Sequence, residues 1–503
     1  MKKFTSTFLF IFFLNLFLSF FYLSSVDCYL PSVISNYSLF ADTLIYWEPE
    51  QRLTYDTIPQ LHCQVWAYDS FVHILVNYDF PAMYLRSSDY GQTWSDAVQL
   101  NVESSANFQS LTQQDSVVYF TWSEHRVGPP FGKTQVDTHY VFFRRSNNNG
   151  ATLDSAIFLG KGWPVSIDAK KESVFVNPVV CEPPPVLGPY LLYSFYGGLN
   201  WSEYLPIVDS ASQPNIAYRN GVLHFSGVRN YKIIYTRSTN FGTSWSTPTV
   251  ITAPNTVLPK RPVLALGPNQ DVYIAWTDNK YSGAMQFDDV LFRKSTDDGL
   301  TWGPEQRLTP DSHCDAGGAL DMVSQDSMIF IVWCYNGIGY PAPCSLFILV
   351  STNCGESWRG REVLASGSGY PINDANVAIS QNFVYVIWRD NRYYNGGEIF
   401  LRRGSFMAPG IKERRNDVAS RISIFPNPFS QEIRIGYRMQ DKGYRKEDFS
   451  IKIFDVLGKK VMFYGSVKDG GIIIDTKDLP GGVYFVMVKA GDGCVVKKVV
   501  KIE

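Results

Sequence analysis

Apolar and polar positions alternate in short runs along most of this chain, and each run breaks at the same kind of turn. Val290-Leu291-Phe292-Arg293-Lys294 leads into Ser295-Thr296-Asp297-Asp298-Gly299-Leu300-Thr301-Trp302, and a polar segment, Pro304-Glu305-Gln306-Arg307-Leu308, follows. Period-two alternation interrupted by Ser, Asp and Gly predicts a strand, a tight turn and a second strand. Ser and Asp fold their side chains back onto backbone N–H groups, Gly supplies a positive φ, and the closing Trp is expected to plug the core.

The spelling S-x-D-x-G-x-T-W recurs. It is complete at Ser87, Asp89, Gly91 and Trp94 and at Ser295, Asp297, Gly299 and Trp302. Asn replaces Asp at Ser238, Asn240, Gly242 and Trp245, and again at Ser351, Asn353, Gly355 and Trp358. Weaker copies begin at Ser146 and Ser194. Runs ending at these turns divide the chain into repeats near 55–101, 104–160, 163–207, 211–252, 260–309 and 318–365. A seventh, 374–403, lacks an outer strand. The segment Tyr46-Trp47-Glu48-Pro49-Glu50-Gln51-Arg52-Leu53-Thr54 nearly copies Thr301 to Thr309 and is the missing strand, so the two fragments complete one another. The third repeat is the most degenerate, interrupted by Pro183-Pro184-Pro185, which keeps six repeats plus an insertion open as an alternative.

These octapeptides resemble the Asp-box, or bacterial neuraminidase repeat, of sialidase-like β-propellers, over roughly residues 44–404. The resemblance implies an all-β, seven-bladed (alternatively six-bladed) β-propeller in which the box is structural rather than chemical. The missing Gly-His and Trp-Asp pairs set the chain apart from WD-repeat propellers.

After Ala419 the texture changes, for all 12 Trp lie between Trp47 and Trp388. Residues 405–418 read as a linker. Residues 419–503 alternate around Gly and Pro turns and predict a small antiparallel β-sandwich. Ile422 to Phe429 with its Pro-Asn-Pro-Phe, Asp455-Val456-Leu457-Gly458, Pro480-Gly481-Gly482-Val483-Tyr484-Phe485 and a basic-apolar end resemble, in order, the C-terminal sorting domain of type IX secretion cargo. That resemblance implies recognition by outer-membrane secretion machinery and a secreted or cell-surface location.

Composition changes this picture in two places. Residues 1–28 read as a signal peptide, with Lys2 and Lys3 before an apolar stretch from Phe8 to Leu23; an uncleaved anchor, or a lipoprotein site at Cys28, are its alternatives. The net charge of −2 splits into +6 after Ile411 and −8 before it, so overall charge gives no argument for nucleic acid. Cys334 and Cys344 flank a hairpin, which points to a disulfide or buried free thiols rather than a metal site, and neither metal nor cofactor is expected.

The connections between second and third strands lie at the end opposite the octapeptide turns. They begin at Trp122-Ser123-Glu124-His125-Arg126, Phe225-Ser226-Gly227-Val228-Arg229, Trp276-Thr277-Asp278-Asn279-Lys280 and Trp388-Arg389-Asp390-Asn391-Arg392. Glu124, Asp278 and Asp390 are the candidate catalytic carboxylates. Arg126, Arg229 and Arg392 are the candidate ligand-binding cations, with Tyr335 or Tyr393 beside them. Each also has a plain structural reading as a turn-former. The family resemblance implies an Arg-Ile-Pro motif that grips a carboxylate, yet the comparable stretch here is Thr57-Ile58-Pro59, and Thr makes no bidentate charge-assisted contact. The expectation is therefore a monomeric module that binds an extracellular glycan or protein without catalysis. A glycoside hydrolase for another sugar and a structural or adhesion protein are the alternatives.

Overall fold

The computed structural model describes residues from Ile45 to Ile502, apart from 56–59, 79–80, 102–105, 126–138, 181–187, 282–287, 310–318, 337–342, 369–371, 394–396, 407–421, 426–428, 438–448, 456–458, 466–471 and 491–492. The expected signal peptide, the Thr57-Ile58-Pro59 stretch, Arg126 and most of the linker lie outside the described residues.

The described chain is all β. Six sheets of four antiparallel strands, arranged like propeller blades, follow one another at Gln60–Gln99, Ala106–Lys161, Trp163–Pro206, Ser212–Val250, Lys260–Arg307 and Leu320–Ser368. A seventh takes its three inner strands from Ile372–Phe406 and its outer edge from Ile45–Trp47 and Gln51–Arg52. There Gln51 pairs with Leu401 and Arg52 with Phe400. The third repeat forms a full four-stranded sheet despite its degenerate spelling. The first strand of every sheet lies against the first strand of the next, and the seventh against the first.

The apolar core sits between consecutive sheets. Leu75 and Tyr84 of the first pack with Phe120 and Trp122 of the second, and Tyr273 and Phe292 of the fifth with Ile331 and Trp333 of the sixth. Inner strands would leave unpaired backbone groups facing one another, a cost that side chains remove. Asp168 Oδ2 accepts from Tyr218 N–H at 2.7 Å, Asp321 Oδ2 from Val377 N–H at 2.9 Å, and Asn376 Oδ1 from Val65 N–H at 2.9 Å.

The octapeptides close the third strand onto the fourth. In the fifth sheet Ser295 Oγ accepts from Gly299 N–H at 2.9 Å and donates to Asp297 Oδ1 at 2.7 Å, while Asp297 Oδ1 accepts from Thr301 N–H at 2.8 Å. Bonds from the Thr301 side chain and backbone hold the half-buried Asp297 carboxyl down at about 2. Where Asn replaces Asp, its amide donates instead, Asn240 Nδ2 to Ser244 Oγ at 2.8 Å and Asn353 Nδ2 to Ser357 Oγ at 2.9 Å. The residue before the glycine is left-handed too, with Asp298 at φ 62° and Gly299 at 84°, which the sequence reading assigned to glycine alone.

The turn Trp is not a core plug. All of Trp94, Trp201, Trp245, Trp302 and Trp358 are half-buried. They wedge at the seams between sheets, as Trp302 does edge-on to Tyr235 of the preceding sheet at 5.0 Å. The turn glycine fits the same seam, for a Cβ on Gly299 would lie 2.0 Å from the Tyr235 hydroxyl. Fully buried tryptophans are a different set, Trp122, Trp276, Trp333 and Trp388, near the ends of the second strands. Gln306 clamps the next turn by donating to Gly355 O at 3.0 Å and accepting from Trp358 Nε1 at 2.9 Å. Gln51 does the same to Gly91 O at 3.2 Å and Trp94 Nε1 at 3.1 Å, so the borrowed strand reproduces the native contact.

The C-terminal region has a three-stranded sheet (Ile422–Phe425, Glu432–Tyr437, Ile472–Asp475) and a four-stranded one (Phe449–Asp455, Lys460–Gly465, Gly482–Ala490, Gly493–Lys501). Phe429, Ile433, Ile435 and Ile474 meet Ile451, Ile453, Val486, Val488 and Val499 in one apolar core. Tyr484 donates to Pro480 O at 2.7 Å and pins the turn before its own strand.

Candidate binding site

The end of the sheets away from the octapeptides is where first strands begin and second strands finish. The first strand slips register there in six sheets, at Gln60/His62, Asn107/Ser110, Pro164/Ser166, Ser212/Asn215, Lys260/Val263 and Asn373/Asn376. An extra residue bends a strand and re-aims its side chains, a device common beside binding sites. In three of these bulges the extra residue is not glycine yet is left-handed: Gln213 at φ 49°, Arg261 at 50° and Asp374 at 51°. Each such position costs about 1–3 kcal/mol and persists only where surrounding contacts impose it.

Those contacts are visible. Gln213 Oε1 accepts from the Arg261 backbone N–H at 2.6 Å, joining the fourth and fifth sheets at their mouths. Asp374 faces His62 Nδ1 at 3.2 Å and Arg389 Nε at 3.5 Å. Its carbonyl accepts from the Cys63 thiol at 3.1 Å, and the Cys334 sulfur lies within reach of the Ala375 N–H. Two buried thiols thus brace one strained peptide. Burial pushes Cys334 up to about 12 and Cys63 in the same direction, so both remain protonated at neutral pH.

Across the mouth, Lys260 Nζ lies 3.2 Å from Asp288 Oδ2. Burial raises the Asp288 carboxyl, and Lys260 and Arg261 pull it partly back. Among the described residues no carboxylate lies within ion-pair distance of the half-buried Arg261 guanidinium. The mouth thus offers cations (Arg261, Arg389, Lys260), acceptors (Asp374, Asp288, Gln213) and an imidazole (His62) on strands locked by their neighbours. Among the described residues no group of three or more His, Cys, Asp or Glu side chains converges as a metal site.

Those of the residues singled out from sequence that are described sit at this end, and most have partners of their own. Register places Glu124, Arg229, Asp278, Tyr335 and Asp390 at one equivalent position of five second strands. Asp278 is fully buried and accepts from the N–H groups of Val257, Leu258 and Lys280, each at 3.2 Å, and from the Thr256 hydroxyl. Asp390 accepts from Arg392 N–H at 2.9 Å and from its guanidinium. Glu124 is buried and accepts from Trp122 Nε1 at 2.8 Å. Arg229 pairs with Asp209 at 2.7 Å, and Arg392 pairs with Asp390 and, at 2.6 Å, with Glu50. Arg229 and Arg392 thus each hold ion pairs within their own sheet or at that sheet's entry. Tyr335 packs half-buried in the core between the fifth and sixth sheets, and Tyr393 is exposed. Cys334 and Cys344 are both buried but not joined to each other: Cys334 faces Leu346 and Cys344 faces Asn336. That offset makes them diagonal neighbours, at about 7–8 Å, beyond disulfide reach.

Sequence reasoning missed His62, Gln213, Arg261 and Asp374 because it followed the loops between second and third strands. A signal existed in Ser212-Gln213-Pro214-Asn215, Lys260-Arg261-Pro262-Val263 and Asn373-Asp374-Ala375-Asn376, where polar residues break the alternation as a strand opens.

The chain is similar at low identity to several solved structures. Among solved structures, a protein of unknown function from Dyadobacter fermentans aligns at a TM-score of 0.46 and 12% identity, covering 73% of this chain and 100% of its own. An α-L-arabinanase from Penicillium chrysogenum, complexed with arabinobiose, aligns at 0.41 and 15%, covering 60% and 93%. The NanB sialidase of Streptococcus pneumoniae aligns at 0.40 and 12%, covering 71% of each. No curated relative matches the chain in sequence. The secretion system C-terminal sorting domain matches residues 423–503, the region of the seven-stranded C-terminal core. The chain therefore carries a type IX sorting domain at its C-terminus and is exported to the cell surface or the medium.

Proposed function

We propose that this chain is a sialidase-like, seven-bladed Asp-box β-propeller that binds an extracellular glycan or protein at the mouth formed by Gln213, Arg261, Asp374, His62 and Arg389. The proposed organisation is a signal peptide at 1–28, the propeller at 38–404 closed by its N-terminal outer strand, a linker at 405–418 and a sorting domain at 419–503. The sorting domain's partner is the outer-membrane secretion machinery. The observation that carries the binding reading is the set of three non-glycine residues held left-handed in equivalent bulges, one of which presents an arginine with no ion-pair partner among the described residues. Strain of this kind is kept where a side chain must be aimed. The carboxylates first considered for catalysis support binding over turnover, since Asp278, Asp390 and Glu124 all accept hydrogen bonds within their own loops or sheets.

A glycoside hydrolase is the second reading, favoured by one observation, the buried and raised Asp288 carboxyl beside Lys260. A glycan array and a glycosidase screen on the exported, processed protein separate the two. Binding without turnover, lost in Arg261→Ala and Asp374→Asn at unchanged thermal stability, is the expected result. Turnover that disappears in Asp288→Asn would replace the binding reading with the hydrolase.

A further inference from the structure

Two loops of the mouth-bearing end carry the same word, Asp278-Asn279-Lys280-Tyr281 in the fifth sheet and Asp390-Asn391-Arg392-Tyr393 in the seventh. Their outer strands match as well, as Glu305-Gln306-Arg307 and Glu50-Gln51-Arg52. The contacts repeat. Lys280 pairs with Glu305, and Arg392 with Glu50. Arg307 pairs with Asp289 at 2.9 Å, and Arg52 with Glu398. Over each of these guanidinium groups lies a tyrosine ring, Tyr281 over Arg307 at 4.5 Å and Tyr393 over Arg52 at 4.7 Å.

The ion pairs already account for how each loop is held, so the rings are surplus to that task. Tyr281 is 45% exposed and Tyr393 63%, and Tyr55, 72% exposed, lies over Arg52 as well at 4.6 Å. Lys280 Nζ also lies 5.0 Å from the Tyr281 centroid, and Phe400 stacks 6.1 Å from Tyr393. A ring held in this way with much of its surface still in solvent is a stacking platform with little rotamer entropy left to lose. The charge around each ring is the same. Lys280 and Arg307 stand against Glu305, Asp289 and Asp278, and Arg392 and Arg52 against Glu50, Glu398 and Asp390, two cations to three carboxylates. Such a balance disfavours an acidic ligand.

We infer that Tyr281 and Tyr393 are paired stacking shelves for a neutral polysaccharide, separate from the central mouth. The C–H face of a pyranose or furanose ring covers the exposed surface of each tyrosine, and the paired carboxylates and cations bond its hydroxyls. Duplication on one chain suits a polymer of repeating units, since two linked contacts raise avidity by about 10²–10⁴ over either alone.

Affinity electrophoresis of the exported protein in gels containing arabinan, xylan, β-glucan, galactomannan or polygalacturonate tests this. The wild type is expected to be retarded by at least one of the four neutral polymers. Tyr281→Ala and Tyr393→Ala should each weaken retardation about tenfold or more, their combination should abolish it, and the corresponding Phe pair should keep it. Tyr231→Ala, which removes a 71% exposed ring elsewhere on the chain, should leave retardation unchanged. The inference is overturned if no neutral polymer retards the wild type, if only polygalacturonate does, if the double Ala variant binds as well as wild type, or if Tyr231→Ala removes the retardation as fully as the double variant. Unchanged melting temperatures of the Ala variants exclude loss through misfolding.

Discussion

Each sheet has two ends, and they are built on opposite plans. At the octapeptide end the same bonds recur, Gly N–H donating to Ser Oγ at 2.8–2.9 Å in the first, second, third, fourth, fifth and sixth sheets. At the mouth end one bulge position holds Gln213, Arg261 or Asp374, and one second-strand position holds Glu124, Arg229, Asp278, Tyr335 or Asp390. Repetition at one end fixes the spacing of the sheets, and the variation at the other is where we propose that binding specificity lies. A scaffold that is rigid at one face can hold strained, dissimilar side chains at the other.

The comparison can be broken first in the core that both ends share. Trp276 is fully buried, so Trp276→Ala should cost about 4 kcal/mol, read from denaturant unfolding; a loss below about 1 kcal/mol would mean that the mouth end carries no core of its own. Next comes Gly299→Ala at the octapeptide end, where a Cβ meets the Tyr235 hydroxyl and φ is 84°. Overpacking and left-handed strain together should cost about 3 kcal/mol. Tyr235 cannot swing away, because its hydroxyl is bonded to His224 at 2.7 Å. Trp302→Ala should cost less, about 2 kcal/mol, because the ring is a half-buried wedge. If Trp302→Ala matched Trp276→Ala, the seam reading would be wrong.

A pH titration sharpens the contrast. Asp321 and Asp168, both on inner strands, are held up to about 7 and about 6 by burial, against an ordinary 3.8. The folded chain then binds protons that the unfolded chain has released, so these groups make stability fall as pH rises from about 4 to about 7. Asp321→Asn should flatten that fall in melting temperature. Asp297, held at about 2 by the turn, acts oppositely and only below about pH 4, where stability drops as its carboxyl protonates. An unchanged pH profile in Asp321→Asn would exclude the inner-strand carboxylate as the source. The smallest effect on stability is expected at the mouth, where Arg261→Ala should change it by under about 1 kcal/mol.

Local chemistry was legible wherever a residue acts on its own neighbours in the chain. Ser295, Asp297 and Gly299 form their turn through bonds that close within a few residues, so the spelling alone located the strands on either side. The match between Glu50-Gln51-Arg52 and Glu305-Gln306-Arg307 likewise placed the N-terminal strand beside Glu398–Phe406, because equal side chains reach equal partners. The C-terminal motifs gave export by their resemblance to a sorting domain. What the tertiary structure alone decided is everything that depends on a neighbouring sheet. Whether Trp302 is core or wedge, whether Arg392 faces a ligand or Glu50, and whether Cys334 meets Cys344 or the peptide of Asp374 are all set by strands distant in sequence. The proposed site follows the same division: its residues are polar side chains at strand openings, and only the tertiary register slips turn Gln213, Arg261 and Asp374 left-handed.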